Sequence, residues 1–258
     1  MQPITGPNIK NKFIQFMKKT ALLAITLLLS VSYAFAQSEG GASANGDDKN
    51  FHFGLNITPG LYFASPGTSG NGNSNAANGA AFGFGYGVNL EFYFSHNYGL
   101  ATGIEVDQIG VNYTNIYTTK TNNYTDSVIT TAHTQTMQYL AIPLVLKLRT
   151  NAIGPIKYFG LFGVQPGFLL SGMDNPTVTR DIYSYSYPSG TTDNVNIYHE
   201  SSFFRVSLIV GLGLEYNLAG STSIQAAITY DNAFTNVNSN SNNSIIAKGV
   251  NLTIGVLF

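Results

Sequence analysis

The residues with the clearest potential for chemistry are the four histidines, His52, His96, His133 and His199. His199 is followed by Glu200 and Ser201, the residue types of a base, an acid and a nucleophile. Neighbouring residues on a strand point to opposite faces, so this run cannot form a triad by itself. No histidine pair has metal-ligand spacing, and without cysteine the chain has no thiolate ligand, disulfide or thiol nucleophile. We therefore expect no catalytic site, no metal site and no cofactor.

Charged side chains are scarce, at 10% of the residues against roughly 25% in an ordinary soluble domain. The 12 basic and 13 acidic residues nearly balance, so the chain lacks the basic excess that nucleic-acid binding requires. Five acids and three bases fall on the small or polar face of the strands predicted below: Glu91, Glu105, Asp107, Lys147, Arg149, Arg205, Glu215 and Asp231. We interpret them as a lumenal charge network that plugs a barrel. The alternatives are a narrow or gated ion path and a small-ligand cup at the end of the barrel that carries the long loops.

The first 36 residues have the pattern of an export signal. Lys18 and Lys19 precede the apolar run Ala21–Leu29, and an A-x-A-like site ends at Ala36. Met17 is a possible alternative start. We predict a signal peptide over Met1–Ala36, which carries four of the twelve basic residues, and a flexible periplasmic leader over Gln37–Asn50.

The chain from Phe51 to Phe258 alternates in polarity with a period of two, which predicts β-strands. Eight segments show the pattern: Phe51–Phe63, Phe82–Phe94, Tyr98–Tyr113, Tyr139–Arg149, Ile156–Leu170, Phe203–Leu218, Ser223–Phe234 and Val250–Phe258. In the third segment the apolar phase changes near Asp107–Gln108, which predicts a β-bulge.

The Gly83-x-Gly85-x-Gly87 repeat lies inside a strand and opens no helix, so we interpret it as room for facing aromatic rings, not as a phosphate loop.

The connections alternate strictly between long and short. Long loops are predicted at Ala64–Ala81, Thr114–Thr134, Ser171–Glu200 and Thr235–Ile246, and short turns at Ser95–Asn97, Asn151–Pro155 and Ala219–Thr222. All long loops then lie at one end of an up-and-down arrangement. This asymmetry is typical of outer-membrane barrels. We predict an all-β fold, an eight-stranded antiparallel up-and-down transmembrane β-barrel.

The composition of the two strand faces favours lipid as the outer solvent. One face is bulky and apolar, with aromatic residues near the strand ends, while the other is small or polar and carries few charges. Strands facing water would normally carry many lysines and glutamates, and aromatic girdles mark lipid–water interfaces. A secreted soluble β-barrel or sandwich is the alternative.

One hairpin carries a family resemblance. Tyr139–Lys147 reads YLAIPLVLK, and a glycine-rich aromatic strand, Tyr158–Gly167, follows a tight turn. This resembles the outer membrane protein β-barrel family, often labelled porin family or PorT-like, and the eight-stranded OmpX/OmpA-like barrels. The resemblance implies a location in the outer membrane and contact with its lipid, but no single activity. The terminal Phe258 matches the aromatic residue that the barrel-assembly machinery reads in such proteins.

The long loops are the remaining candidates for function. Ser171–Glu200 carries four tyrosines among serine, threonine and asparagine, a composition common in recognition surfaces: Tyr183, Tyr185, Tyr187 and Tyr198. We predict a monomeric, non-enzymatic barrel with a plugged lumen, acting as a structural or surface-interaction protein that binds an extracellular ligand through its loops. A small porin-like channel and a barrel enzyme of lipase or protease type are the alternatives.

Overall fold

Antiparallel β-strands form nearly all of the structure, a computed structural model that describes residues 50–69, 73–121, 124–182, 185–239 and 243–258. These residues lie in one of two units of the chain, Asp47–Phe258. The predicted signal peptide, and the predicted leader up to its last residue, lie outside the described residues. Among the described residues, no helix is long and apolar enough to cross a membrane.

Thirteen strands are described. They are β1 Phe51–Ser69, β2 Asn73–Ala77, β3 Ala80–Ser95, β4 Tyr98–Thr121, β5 Tyr124–Ala141, β6 Leu144–Arg149, β7 Ile156–Asp174, β8 Thr177–Ile182, β9 Tyr185–Thr191, β10 Val195–Asn196, β11 Phe204–Ala219, β12 Thr222–Ala233 and β13 Asn243–Leu257.

Eight spans close into a ring. β1 pairs with β3, β3 with β4, and β4 with both β5 and β6, which together form one wall. The wall is broken where Pro143, which has no backbone N–H, separates β5 from β6. The ring continues through β7, β11, β12 and β13, and β13 pairs with β1. Phe258 and Phe53 exchange two backbone hydrogen bonds at the seam. The predicted eight-stranded barrel is confirmed.

The two ends of the barrel differ as predicted, but the long connections are largely sheet. At the short-turn end, the chain reverses at His96–Asn97, Gly154 and Gly220, and both glycines have positive φ. At the other end, β4 and β5 pair as far as Thr121 and Tyr124. The prediction of a loop over Thr114–Thr134 is therefore wrong, because its threonines and tyrosines favour strand pairing.

Additional strands extend the sheet beyond the ring at this long-hairpin end. β2 pairs with the outer part of β4, and β8 pairs with the outer part of β5 and with β9. β2, β4, β5, β8 and β9 form a sheet of five strands, which we call the external sheet. Much of the predicted loop Ser171–Glu200 belongs to it or to β7.

The side chains alternate between the two sides of the wall. The apolar residues of the predicted outer face are exposed, as Phe82, Leu212 and Ile228 show. The polar, glycine-rich face is turned inward. The predicted β-bulge near Asp107–Gln108 is wrong, because β4 pairs with β5 without a register shift across these residues, and Ile109 and Val111 are buried in the same phase as Asp107.

An apolar cluster fills the lumen at the long-hairpin end. Its members are Tyr62, Ala64, Ile109, Val111, Tyr113, Met137, Tyr139, Leu169, Val237, Ile245 and Ala247. They are contributed by β1, β4, β5, β7 and β13 and by the segment before β13. This cluster explains the phase of Ile109 and Val111: they face inward because the lumen is apolar at this height.

Candidate functional site

The structure places all eight charged residues predicted to face the lumen at buried or partly buried positions. Seven are buried and Glu105 is partly buried, in three groups along the barrel. A ninth lumenal charge, Lys157, is also buried. It is in strand phase with Phe159, which is itself buried in the lumen, so alternation alone would have identified it.

Lys147 is the centre of the group nearest the short turns. Its Nζ lies 2.8 Å from both carboxylate oxygens of Glu91, 3.4 Å from Glu215 and 3.1 Å from the amide oxygen of Gln225. It also lies 4.3 Å from the centre of the Phe159 ring. With 1% of its surface exposed, Lys147 satisfies the requirement that a buried charge be paired and hydrogen-bonded.

Arg149 extends this group toward the turns. Its guanidinium lies 3.5 Å from the centre of the Tyr93 ring and 3.8 Å from a Glu215 oxygen, and it donates to the backbone oxygen of His96. The Tyr93 hydroxyl donates to Glu91 at 2.5 Å. Carboxylates, cations and aromatic rings thus form one continuous layer across the lumen, which we call the basal layer.

Arg205 and Asp231 form a second group near the long-hairpin end. An Arg205 Nη atom lies 2.7 Å from Asp231, and the other Nη donates to the hydroxyl of Ser207 at 3.2 Å. All three residues are buried. The pair lies on neighbouring strands β11 and β12, where a salt bridge in low dielectric needs such close geometry to offset its desolvation cost.

Glu105 and Asp107 lie between these two groups and are held by amides alone. Asn56 donates to Glu105 at 2.6 Å, and the Gln165 amide nitrogen donates to Glu105 at 3.1 Å and to Asp107 at 2.8 Å. Among the described residues, no lysine, arginine or histidine makes an ion pair with either carboxylate.

A cavity of about 100 Å³ lies in the lumen at this height, and we call it the central chamber. Its wall includes Asn56, Thr58, Glu105, Asp107, Gln165, Asn251 and Thr253, together with Lys147 and Phe159 from the basal layer and Tyr62 from the apolar cluster. Polar oxygens and nitrogens therefore line a space that is bounded on one side by the basal layer and on the other by aromatic side chains.

The lumenal glycines make room for large side chains. A Cβ on Gly83 or Gly249 would lie within 2.6 Å of the Tyr62 ring, and one on Gly213 would lie 2.3 Å from the Phe159 ring. Small residues on one strand thus allow an aromatic ring from another to enter the lumen, as the sequence predicts for Gly83. Gly85 and Gly87 instead make room for the acidic side chains of Asp107 and Glu105.

Two segments, one around Ile197 and one around Val237, turn inward at the long-hairpin end of the barrel and pack on the apolar cluster. Val237 is buried in the cluster, and its backbone N–H and C=O pair with Ile245 and Ser202. Ser239 donates to the backbone oxygen of Glu200, and Ile197 is buried beside Gly172. These contacts hold both segments against the apolar cluster.

A cluster of polar side chains at the long-hairpin end of the barrel was not predicted from the sequence. His133 Nδ1 lies 2.6 Å from a carboxylate oxygen of Asp174, and the His133 ring stacks on Tyr113 at 4.6 Å. The Tyr113 hydroxyl accepts hydrogen bonds from Gln135 and Asn238. His133 and Asp174 are 41 residues apart, and only the pairing of β5 with β7 brings them together.

The His199–Ser201 run does not form a catalytic set. Ser201 is buried, and its hydroxyl donates to the backbone oxygen of Ile197 at 2.8 Å. His199 is exposed and meets the ring of Tyr198 edge-on. At the opposite end, His52 is buried against Tyr93, while His96 is exposed in a turn.

The four tyrosines predicted for recognition do not share one surface. Tyr185 and Tyr187 lie on β9, exposed, with ring centres 5.1 Å apart. Tyr198 is partly buried and packs against the apolar cluster. Tyr183 lies outside the described residues. Phe258, the predicted assembly signal, is exposed on the outer face at the seam.

The described part of the chain holds no group of three histidine, aspartate or glutamate side chains placed to bind a metal ion. The four histidines cannot share one site, because His52 and His96 lie at the short-turn end and His133 and His199 at the long-hairpin end. His133 also contacts Asp174.

A family model described as "Outer membrane protein beta-barrel domain" matches residues 35–239. The match begins at the end of the predicted signal peptide and ends shortly before β13. Among curated proteins, none matches the chain.

The solved structures that are similar to the chain include a surface protein, an attachment protein and an outer membrane protease. Neisserial surface protein A is 11% identical, with a TM-score of 0.39, covering 81% of this chain and 96% of its own. Ail, the attachment invasion locus protein of Yersinia pestis, is 13% identical, with a TM-score of 0.23 and coverage of 80% and 98%. The outer membrane protease OmpT from Escherichia coli is 10% identical, with a TM-score of 0.36 and coverage of 86% and 99%.

Proposed function

The chain belongs to the outer membrane protein beta-barrel domain family, and from this premise we propose that it is a plugged, non-conducting barrel that binds a partner through its external sheet. Family membership places it in the outer membrane. In the proposed orientation the short turns face the periplasm and the external sheet faces the outside, as in other such barrels.

The side chains packed into the lumen are the observation that supports the proposal. An eight-stranded barrel is just wide enough for side chains to fill its interior. Here the basal layer, the Arg205–Asp231 pair and the apolar cluster occupy successive heights, and the buried Val237 covers the last of them. A hydrated ion would have to displace buried ion pairs and an apolar core to pass. We therefore propose that the lumen is plugged and does not conduct ions, in preference to the alternative of a small channel.

The external sheet offers the surface on which a partner could bind. Residues directly opposite each other on paired strands share a face, and one such row reads Tyr117, Ile129, Arg180 and Tyr187 across β4, β5, β8 and β9. The adjacent row ends in Tyr185, which is 65% exposed. Exposed tyrosines beside an arginine are the composition of recognition surfaces.

Site-specific photo-crosslinking on intact cells tests this role. A benzophenone amino acid at Tyr187 should yield a crosslinked adduct, whereas the same probe at Thr179, on the opposite face of β8, should yield none. Equal adducts at the two positions, or none at either, would contradict recognition by this face.

A barrel enzyme is the alternative that one observation favours. Asp174 holds the His133 ring at the rim, and a histidine oriented in this way is suited to act as a general base. Ser201, the nucleophile candidate from the sequence, is not available to it, since its hydroxyl donates to the backbone oxygen of Ile197. Hydrolysis of peptide or lipid-ester substrates by the refolded barrel, lost on His133→Ala, would establish the enzyme. We expect no hydrolysis.

The remaining elements complete the proposal. Met1–Ala36 directs export, the leader enters from the periplasm, and the barrel-assembly machinery reads Phe258 in the terminal strand. The exposed apolar outer face contacts lipid, and the closed ring leaves no unpaired sheet edge in the bilayer, which supports a monomer.

A further inference from the structure

We propose that the central chamber binds one hard divalent cation of the calcium type, through the carboxylates of Glu105 and Asp107 and the amide oxygen of Asn56. The inference goes beyond the plug and does not depend on recognition by the external sheet.

The first observation is an excess of negative charge in the chamber wall. The basal layer pairs Glu91 and Glu215 with Lys147 and Arg149, and Asp231 is paired with Arg205. Among the described residues, Glu105 and Asp107 make no ion pair. Their hydrogen-bond partners are the amides of Asn56 and Gln165, and Arg205 acts on Asp107 only as a nearby charge. A buried and a partly buried carboxylate side by side create a strong local demand for positive charge.

The second observation is independent of the acids. The amide oxygens of Asn56 and Asn251 have no hydrogen-bond partner, although these residues are only 9% and 5% exposed and both line the chamber. Buried polar atoms normally have a partner because an unmet acceptor costs the full desolvation penalty. Both atoms are acceptors, so they require a donor or a cation.

The third observation concerns space beside the carboxylates. A Cβ on Gly85 would lie 2.4 Å from an Asp107 oxygen and 3.4 Å from Thr58, and one on Gly87 would lie 2.7 Å from the Glu105 side chain. The two glycines of β3 thus let both acids of β4 lean across β3 toward β1. This brings them to the strand that carries Asn56.

The ligand atoms identify the chemical class of the ion. Carboxylate, amide and hydroxyl oxygens suit hard cations, whereas zinc and copper sites use nitrogen and sulfur. Calcium accepts six to eight oxygens at variable angles, while magnesium demands a near-regular octahedron. Side chains from different strands, with room for water in about 100 Å³, favour calcium. If the side-chain amide of Gln165 were rotated by half a turn, its oxygen would take the place of its nitrogen beside the carboxylates and would add another ligand.

Metal analysis of the full barrel tests the proposal. Wild type and two variants would be refolded with CaCl₂, desalted and measured by mass spectrometry. Wild type should keep about one calcium per chain, and Glu105→Gln/Asp107→Asn should keep none. Asp193→Asn, which changes an exposed acid outside the lumen, is the matched control and should behave like wild type.

A second variant and a second readout keep the test decisive if the double variant folds poorly. Asn56→Leu retains both acids but removes one neutral ligand, and should weaken calcium binding at least tenfold. Calcium should raise the thermal midpoint of wild type but not that of the double variant. Wild type without bound calcium, calcium retained by the double variant, or a preference for magnesium would overturn the proposal.

Discussion

The basal layer makes a prediction about the stability of the barrel. Replacing Lys147 with methionine keeps the length of the side chain but removes the cation between Glu91 and Glu215. Because Lys147 is 1% exposed and its Nζ contacts three polar side chains, the variant leaves two carboxylates facing each other in the lumen.

The size of the destabilisation depends on the hydrogen-bond and ion-pair partners that each carboxylate retains. Removing one partner of a buried ion pair costs about 3–5 kcal/mol. Glu91 retains donors from Tyr93 and Asn89, and Glu215 retains Arg149 and Ser223. We therefore expect a loss near the lower end, about 3 kcal/mol of unfolding free energy, or roughly a hundredfold in the folded-to-unfolded ratio. Methionine fills a similar volume, so little of this loss comes from a cavity.

The assay is reversible urea unfolding in phospholipid vesicles, followed by circular dichroism and heat-dependent gel mobility. Glu91→Gln/Lys147→Met restores charge balance and should recover most of the loss. Lys248→Met, a partly exposed lysine on β13, is the matched control and should change stability by about 0.5 kcal/mol or less. If Lys147→Met costs no more than this control, or if the two substitutions are additive, the described ion pairing is refuted.

Further predictions concern packing, lipid contact and assembly. Gly213→Ala should destabilise the barrel by about 1–3 kcal/mol through overlap with Phe159, whereas Gly160→Ala, with no atom nearer than 3.9 Å, should be tolerated; equal unfolding midpoints would contradict the packing. Leu212→Arg, at an outward position 75% exposed, should cost about 2–4 kcal/mol in vesicles; a neutral effect would argue against lipid contact. Phe258→Ala should slow folding by the assembly machinery while leaving spontaneous refolding unchanged, and equal assembly rates in pulse-chase would refute the signal.

Alternation of polarity was sufficient to predict the strands of the ring, because the two faces of each strand meet different surroundings. Phe82–Phe94 is one example, since its four phenylalanines and Tyr86 are exposed, while its glycines and Glu91 face the lumen. Period-two patterns depend only on strand geometry, so they locate strands without knowledge of their neighbours.

The error at Asp107–Gln108 has a physical cause. The prediction assumed that every inward position is small or polar, so that Ile109 and Val111 had to face outward. In the structure the lumen changes from polar to apolar along the axis, and both residues join the apolar cluster without a register shift. Alternation gives the face of a residue, but not the medium that this face meets at each height.

The charged positions were predictable, but their pairing was not. Lys147 and Glu91 are 56 residues apart, and Lys147 and Glu215 are 68 apart. Partners on different strands meet only through ring closure and strand register, which the sequence does not encode locally. For the same reason His133 and Asp174 were not recognised as a pair.

The proposal that the lumen is plugged is tested most directly by single-channel recording of the refolded wild-type barrel in planar lipid bilayers. The filled basal layer and apolar cluster predict no reproducible conductance steps above the bare bilayer, with barrel insertion verified by heat-dependent gel mobility of the recovered protein. Reproducible openings in wild type would show that ions pass these layers and would contradict the account.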